Sequence, residues 1–186
     1  MTASVFFATR EGHTKKIAER IAADLRARGA LVDLFDVGAC PPPDWSKYST
    51  ACLAGSVHIG HHERELVAFA REHRDDLVRL DAAFVSVSLS EAGAEDAKRS
   101  AAERRAAAED AERMIDAFVR DTGWRPEHAL AVAGALTYSK YNLLVRFLMK
   151  QIARKAGAPT DTTRDYEFTD WPALDRFVGE IADRSH

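Results

Sequence analysis

Thr9-Arg10-Glu11-Gly12-His13-Thr14 sets two hydroxyls and a glycine between an apolar run and a helical pattern. The run is Ser4-Val5-Phe6-Phe7-Ala8, and the pattern places Ile17, Ala18, Ile21, Ala22 and Leu25 on one face. This predicts a buried strand, a short turn and a helix from Thr14. The free N–H groups of a first helical turn point outward and the helix dipole favours negative charge, so such a turn is suited to an anion. Thr9 and Thr14 add hydroxyl donors, and Gly12 allows close backbone approach. The plainer alternative is an N-capped helix, with Thr9 or Thr14 as the cap.

The residue types narrow the anion. G-x-x-x-x-G-K-[ST] and G-x-G-x-x-G are both absent, which excludes a nucleoside-triphosphate loop and a dinucleotide fingerprint. The turn has no lysine. It suits a phosphomonoester held by neutral donors, as in a flavin mononucleotide (FMN) site. Thr9, Arg10, Glu11, Gly12, His13 and Thr14 are the candidate phosphate cradle, several through backbone alone.

Two further segments could flank a flavin ring: Ser56-Val57-His58-Ile59-Gly60-His61, followed by His62, and Ser88-Leu89-Ser90. Both are expected to be loops, over 56–62 and 88–93. His58, His61 and His62 invite a metal reading, but no carboxylate or cysteine inside the loop completes a site; no metal is expected. No Ser-His-Asp arrangement stands out. His58 and His61 are the available bases, and the catalytic residue itself is open.

The elements that must position these residues alternate. Strands are expected near 4–8, 31–37, 50–55, 82–88 and 129–136, with a short one at 165–168. Helices are expected at 14–28, 63–80, 97–120 and from Thr169-Asp170-Trp171-Pro172 onward. On the long helix, Arg99/Glu103, Arg105/Glu109 and Asp116/Arg120 are i,i+4 pairs. β-α-β alternation implies a doubly wound α/β fold: a five-stranded parallel sheet in the order 2-1-3-4-5. Ligands then bind beyond the carboxyl ends of strands 1 and 3.

At 186 residues, 46% of them hydrophobic, the chain is expected to form one globular domain. A net charge of −3 gives no reason to expect nucleic acid. Cys40 and Cys52 have no redox or metal spacing. No signal peptide or membrane span is apparent, so a cytoplasmic protein is expected. The oligomeric state is open.

The chain resembles the flavodoxin-like, menaquinone-dependent protoporphyrinogen oxidases of bacterial haem synthesis. The matching pieces are Thr9-Arg10-x-Gly12-x-Thr14, Gly60-His61, Trp124-Arg125-Pro126, Ala133-Gly134-Ala135-Leu136-x-Tyr138, Arg146-Phe147 and Thr169-Asp170-Trp171. They run in order along nearly the whole chain. At 58–59 the family pattern has an arginine and an aromatic residue where this chain has His58-Ile59. The resemblance implies a flavodoxin-like fold, FMN, and oxidation of protoporphyrinogen IX with menaquinone as acceptor.

One stretch goes beyond what a small electron carrier needs. From His128 to Thr160 there is no Asp or Glu, while Lys140, Arg146, Lys150, Arg154 and Lys155 supply five positive charges. As a helix, Tyr141, Leu144, Val145, Leu148 and Ile152 share one face. Arg146, Lys150 and Arg154 share the other, with Leu143 and Phe147 among them. The bland reading is a core helix with a solvated face. The sharper one is a basic amphipathic insertion, about 137–164, that meets an anionic membrane surface or a greasy, carboxylated ligand. Tyr138, Leu143, Arg146, Phe147, Lys150 and Arg154 are then the substrate or membrane contacts. The resemblance makes that ligand protoporphyrinogen and the location the cytoplasmic face of the cell membrane. The alternatives are a flavodoxin-type electron carrier, a flavin-dependent NAD(P)H:quinone reductase, and a flavin-free binding module.

Overall fold

The structure is a computed structural model that describes residues 1–39, 41, 43–136, 138–140 and 161–184. The chain opens on β1 (Thr2–Ala8), whose alternate residues serve two cores. Ala3, Val5 and Phe7 pack on one side of the sheet; Phe6 and Ala8 pack on the other. A strand buried on both faces must read as a continuous apolar run, as this one does. It pairs in parallel with β2 (Leu31–Asp36) on one edge and β3 (Thr50–His58) on the other. β5 (Ala83–Ser88) and β6 (Ala129–Ala133) extend the sheet, and the two-residue β4 (His61–His62) folds back on β3.

The order is β2-β1-β3-β5-β6, which is the expected 2-1-3-4-5 when β4 is set aside. α1 (His13–Ala27) and α6 (Trp171–Arg184) cover one face through Ile17, Ile21, Leu25, Leu174, Phe177 and Ile181. α2 (Arg64–Glu72), α3 (Arg74–Arg79) and α5 (Ala101–Thr122) cover the other through Leu66, Phe69, Leu77 and Phe118. Among the described residues, no helix is long and apolar enough to cross a membrane.

Several element boundaries differ from expectation. β3 runs three residues past Gly55, to His58, so 56–62 is a β-hairpin and not an open loop. Residues 89–95 form α4 (Leu89–Glu95), capped by the Ser88 hydroxyl, which accepts from the Glu91 N–H at 3.2 Å. The expected strand 129–136 is split at Gly134, whose N–H still bonds Ser88 C=O. Beyond it, β7 (Ala135–Leu136) leaves the sheet to pair with β8 (Tyr166–Glu167).

The helix expected over 63–80 breaks at His73. Its ring Nδ1 accepts from Trp45 Nε1 at 3.2 Å, and its backbone leaves helical geometry at φ −105° and ψ 21°. α5 starts later than expected because Ser100 and Glu103 form a reciprocal capping box. That occupies Glu103, and Arg99 turns to Asp96 at 3.7 Å instead. Arg120 lies 4.0 Å from Asp121 rather than pairing with Asp116; Arg105–Glu109 forms as expected at 3.9 Å.

Phe6 sits at the centre of this architecture, with the rings of Phe35, Trp45 and Phe69 at 5.1, 5.2 and 4.7 Å. Phe6→Ala is expected to cost about 3–5 kcal/mol, read as a lower urea midpoint at unchanged slope.

Candidate functional site

The carboxyl ends of β1, β3, β5 and β6 meet at one cleft. At its base, Thr9 Oγ1 accepts from the Gly12 N–H at 3.0 Å, which curls the turn tightly. Gly12 occupies the N-cap position of α1 at φ +89°, a conformation that favours glycine. The first intrahelical bond runs from Lys16 N–H to Gly12 C=O, so the amides of Thr14 and Lys15 precede the helical ladder. The Thr14 side chain is buried, and its hydroxyl has no hydrogen-bond partner among the described residues. A buried hydroxyl left unpaired at a positive helix end matches the donor set that a phosphate needs. The cleft encloses about 60 Å³, on the scale of a phosphate group rather than a whole flavin.

His13 lines the same cleft but has a second task. Thr169 Oγ1 lies 2.8 Å from both the His13 Nε2 and the Ala133 C=O. The hydroxyl has one proton, which goes to the carbonyl, so His13 Nε2 carries the proton it donates to Thr169. This chain ties the turn after β1 to the end of β6.

The hairpin forms the opposite wall. Its turn residues, Ile59 and Gly60, both have positive φ, +49° and +79°, as a two-residue type I′ turn requires. Ile59 is β-branched and 85% exposed, so this conformation costs energy that its own packing does not return. The three histidines diverge. His62 enters the core against the stacked rings of Phe84 and Phe118, 2.9 Å from Ser86 Oγ, and burial with the nearby His61 pushes its pKa down to about 4. His61 is exposed, and His58 faces the cleft.

His58 Nε2 lies 3.0 Å from Glu63 Oε1 and 3.3 Å from Glu11 Oε2. Glu63 is buried and is also bonded by Arg10 Nε at 3.0 Å and Ser56 Oγ at 3.2 Å. Burial would raise the Glu11 carboxyl, but the hydrogen bond and charge of His58 hold it below its ordinary value. Two carboxylates thus flank one imidazole at the mouth of the cleft. Glu63 was not among the expected site residues, because a glutamate opening a helix reads as solvated in sequence. The pairing of Arg10 with a buried acid becomes visible only in the fold.

Of the expected cofactor residues, Thr9, Glu11, His13, Thr14, Ser56, Val57, His58, Ser88 and Leu89 line the cleft. Arg10, Gly12, Ile59, Gly60, His61 and Ser90 do not line it. The Arg10 guanidinium is drawn to Glu63, Ile59-Gly60 form the hairpin tip, and Ser90 belongs to the first turn of α4. Val87, near the end of β5, also lines the cleft, as do Gly134 and Ala135, which follow the end of β6.

Tyr138 corrects an expectation. It is wholly buried with Leu136, against Leu89, Tyr166 and Phe168, and offers no surface to a membrane. Leu143, Arg146, Phe147, Lys150 and Arg154 lie outside the described residues, as does Cys40. Cys52 is a core residue whose thiol burial pushes up to about 12, which keeps it un-ionised near neutrality. Among the described residues, the one cluster with metal-ligand spacing is Asp81, Glu127 and His128. Arg184 already sits there as a cation, 2.6 Å from Asp81 and 3.8 Å from Glu127.

Two measurements probe the hairpin. Ile59→Asn relieves the left-handed strain and is expected to add about 1 kcal/mol, a rise of roughly 2–4 °C in Tm. His62 has a folded pKa below its unfolded value, so its contribution is complete above about 6.5 and is lost as pH falls towards 4. Relative to His62→Gln, the wild-type chain is expected to lose roughly 3 kcal/mol across that window in urea titrations.

A family model described as a flavodoxin domain matches residues 4–163. The chain is 31% identical over 182 residues to the protoporphyrinogen IX dehydrogenase (quinone) of Escherichia coli K12, covering 98% of this chain and 95% of that one. It is 29% identical over 182 residues to the Leishmania major protein of the same name, covering 96% and 73%. Oxidised flavodoxin 1 from Bacillus cereus superposes with a TM-score of 0.53 at 15% identity, covering 98% of each chain, which bears on the fold alone. With its parallel sheet, its anion-ready turn and a match across most of its length, this chain belongs to the flavodoxin domain family.

Proposed function

We propose that this chain is an FMN-dependent oxidoreductase that converts protoporphyrinogen IX to protoporphyrin IX in haem biosynthesis, with a quinone of the menaquinone type as acceptor. The observation that carries this reading is the 31% identity, across 98% of the chain, to a relative named for that substrate and a quinone. The unpaired Thr14 hydroxyl supports the cofactor.

Thr9, Gly12, Thr14 and the amides of the α1 N-terminus would hold the phosphate, with His13 keeping the turn in place through Thr169. The rest of the mononucleotide would lie along the open rim, between Ser56-Val57-His58 and Ser88-Leu89. The hairpin tip, Ile59-Gly60-His61, and Ser90 would bound that rim. When bound, FMN would supply two-electron redox chemistry between porphyrinogen and quinone; the full conversion removes six electrons and six protons and so reduces three quinones. The protein's part is placement and proton handling. His58, held between Glu11 and Glu63, is the group best placed to hold or pass a proton at Nε2. His61 is a second base, on the exposed side of the hairpin. Buried Tyr138 would instead shape the floor beneath β7 and β8. The basic stretch at 137–164, within a single domain spanning 1–186, would carry Leu143, Arg146, Phe147, Lys150 and Arg154 to an anionic membrane on its cytoplasmic face.

Thr14→Val removes a donor to a charged phosphate and is expected to weaken FMN binding about 10- to 100-fold, measured by flavin fluorescence against apoprotein. Under strict anaerobiosis, FMN-loaded protein with protoporphyrinogen IX and a menaquinone analogue should generate porphyrin fluorescence that requires both protein and quinone. A flavin that binds and reduces normally while no porphyrin forms would overturn the substrate assignment.

A further inference from the structure

A second, larger cavity of about 850 Å³ lies on the far side of the hairpin, between it, α2 and α5. His58 lines both this groove and the small cleft, so the two adjoin. Resting on the function proposed above, we infer that this groove is the carboxylate-recognising part of the substrate site, taking an apolar tetrapyrrole by its acidic side chains.

The groove combines apolar walls with guanidinium groups that keep donors available. Arg64, Val67, Ala68 and Arg71 follow one another at i, i+3, i+4 and i+7 on α2, so they share one face. Ala117 and Phe118 on α5 face them across the groove, and Ile59 projects at its mouth. Arg64 is exposed and forms no ion pair or hydrogen bond among the described residues. Arg71 donates through Nε and Nη2 to the Asp121 backbone carbonyl, at 3.0 and 2.6 Å, so its nearest acceptor is neutral. Arg10 uses Nε on Glu63, and its side chain remains 61% exposed.

Glu63, Glu65 and Asp121 match Arg10, Arg64 and Arg71 in number, so recognition rests on which N–H donors are left open and not on net charge. Glu63 is enclosed by Arg10, Ser56 and His58. Asp121 lies 4.0 Å from Arg120, which leaves Glu65 as the opposing charge on the rim.

Guanidinium groups select carboxylates by paired N–H donors. Arg64 and Arg71 are two turns apart, about 10 Å along α2, a span that two flexible propionate arms on one edge of a macrocycle can reach. The cavity falls in the range of small-molecule sites, roughly 300–1,000 Å³. A neutral quinone offers the arginines only carbonyl acceptors without charge, whereas a dicarboxylated apolar ring uses both features of the wall.

The test is titration of FMN-loaded protein with the stable product, protoporphyrin IX, and with its uncharged dimethyl ester, followed by porphyrin absorbance and tryptophan quenching. Arg64→Gln is expected to weaken protoporphyrin binding about tenfold, and Arg64→Gln with Arg71→Gln about a hundredfold, with FMN affinity unchanged. Arg71→Lys keeps the charge but not the paired N–H donors, so it is expected to bind protoporphyrin more weakly than the wild type and more tightly than Arg71→Gln. The diester should bind the wild-type protein as weakly as the acid binds the double variant.

Wild-type protein that binds and turns over porphyrin while the arginine variants match it overturns the groove assignment and leaves the proposed function standing. Loss of binding only on substituting Arg146, Lys150 and Arg154 has the same meaning. Equal binding of acid and diester also overturns it. Arginine variants that lose only phosphatidylglycerol vesicles would make the face a lipid contact instead. Wild-type protein that neither binds porphyrin nor oxidises porphyrinogen removes the proposed function itself, and this inference with it.

Discussion

The molecule depends on β1 being buried on both faces and paired in parallel on both edges. A strand so enclosed meets solvent only at its ends. Because its neighbours run the same way, their carboxyl ends emerge at one rim. Thr9, Ser56, Ser88 and Gly134 come from distant parts of the chain and meet there for that reason alone. The turn to α1 then sets a helix N-terminus against the same rim. The anion-ready character of the cleft is therefore a consequence of topology, refined by two threonines and one left-handed glycine.

The electrostatics of the rim are organised by acids. Glu11 follows Arg10 in the turn after β1, where a carboxylate facing the cleft freely would repel an anion. It is drawn instead to His58, and Glu63 holds His58 from the other side while taking up Arg10. The same buried carboxylate links the turn after β1, the end of β3 and the entry to α2. One group therefore couples the cleft to the arginine-bearing groove beyond the hairpin.

The hairpin shows how strain is held in place. Ile59 keeps an unfavourable backbone because Val57 and His58 pair with His62 and His61, and because His62 is packed against two stacked phenylalanines. A neutral buried ring anchors the returning arm. The exposed tip is left to bear an apolar side chain at the mouth of the larger groove.

The five-strand order was legible because the apolar runs are bounded by Gly29, the prolines at 41–43 and helical periodicity, and because parallel strands need crossovers. The Thr9–Thr14 turn was legible for a similar reason: hydroxyls and glycine between a strand and a helix have few other uses. These are local patterns, and local physics suffices to read them. The hairpin at 56–62, the break at Gly134 and the burial of Tyr138 were not legible, since each depends on a partner far along the chain. The role of Glu63 is the clearest case. A glutamate is a surface residue by composition, and only tertiary structure brings Arg10 across 53 positions to make it a buried anchor. The sequence alone determined the fold class and the anion-ready turn, because these follow from periodicity and backbone chemistry. The tertiary structure decided which charges are paired and which side chains face a cavity, because charge pairing and burial are set by distances that only the packed chain defines.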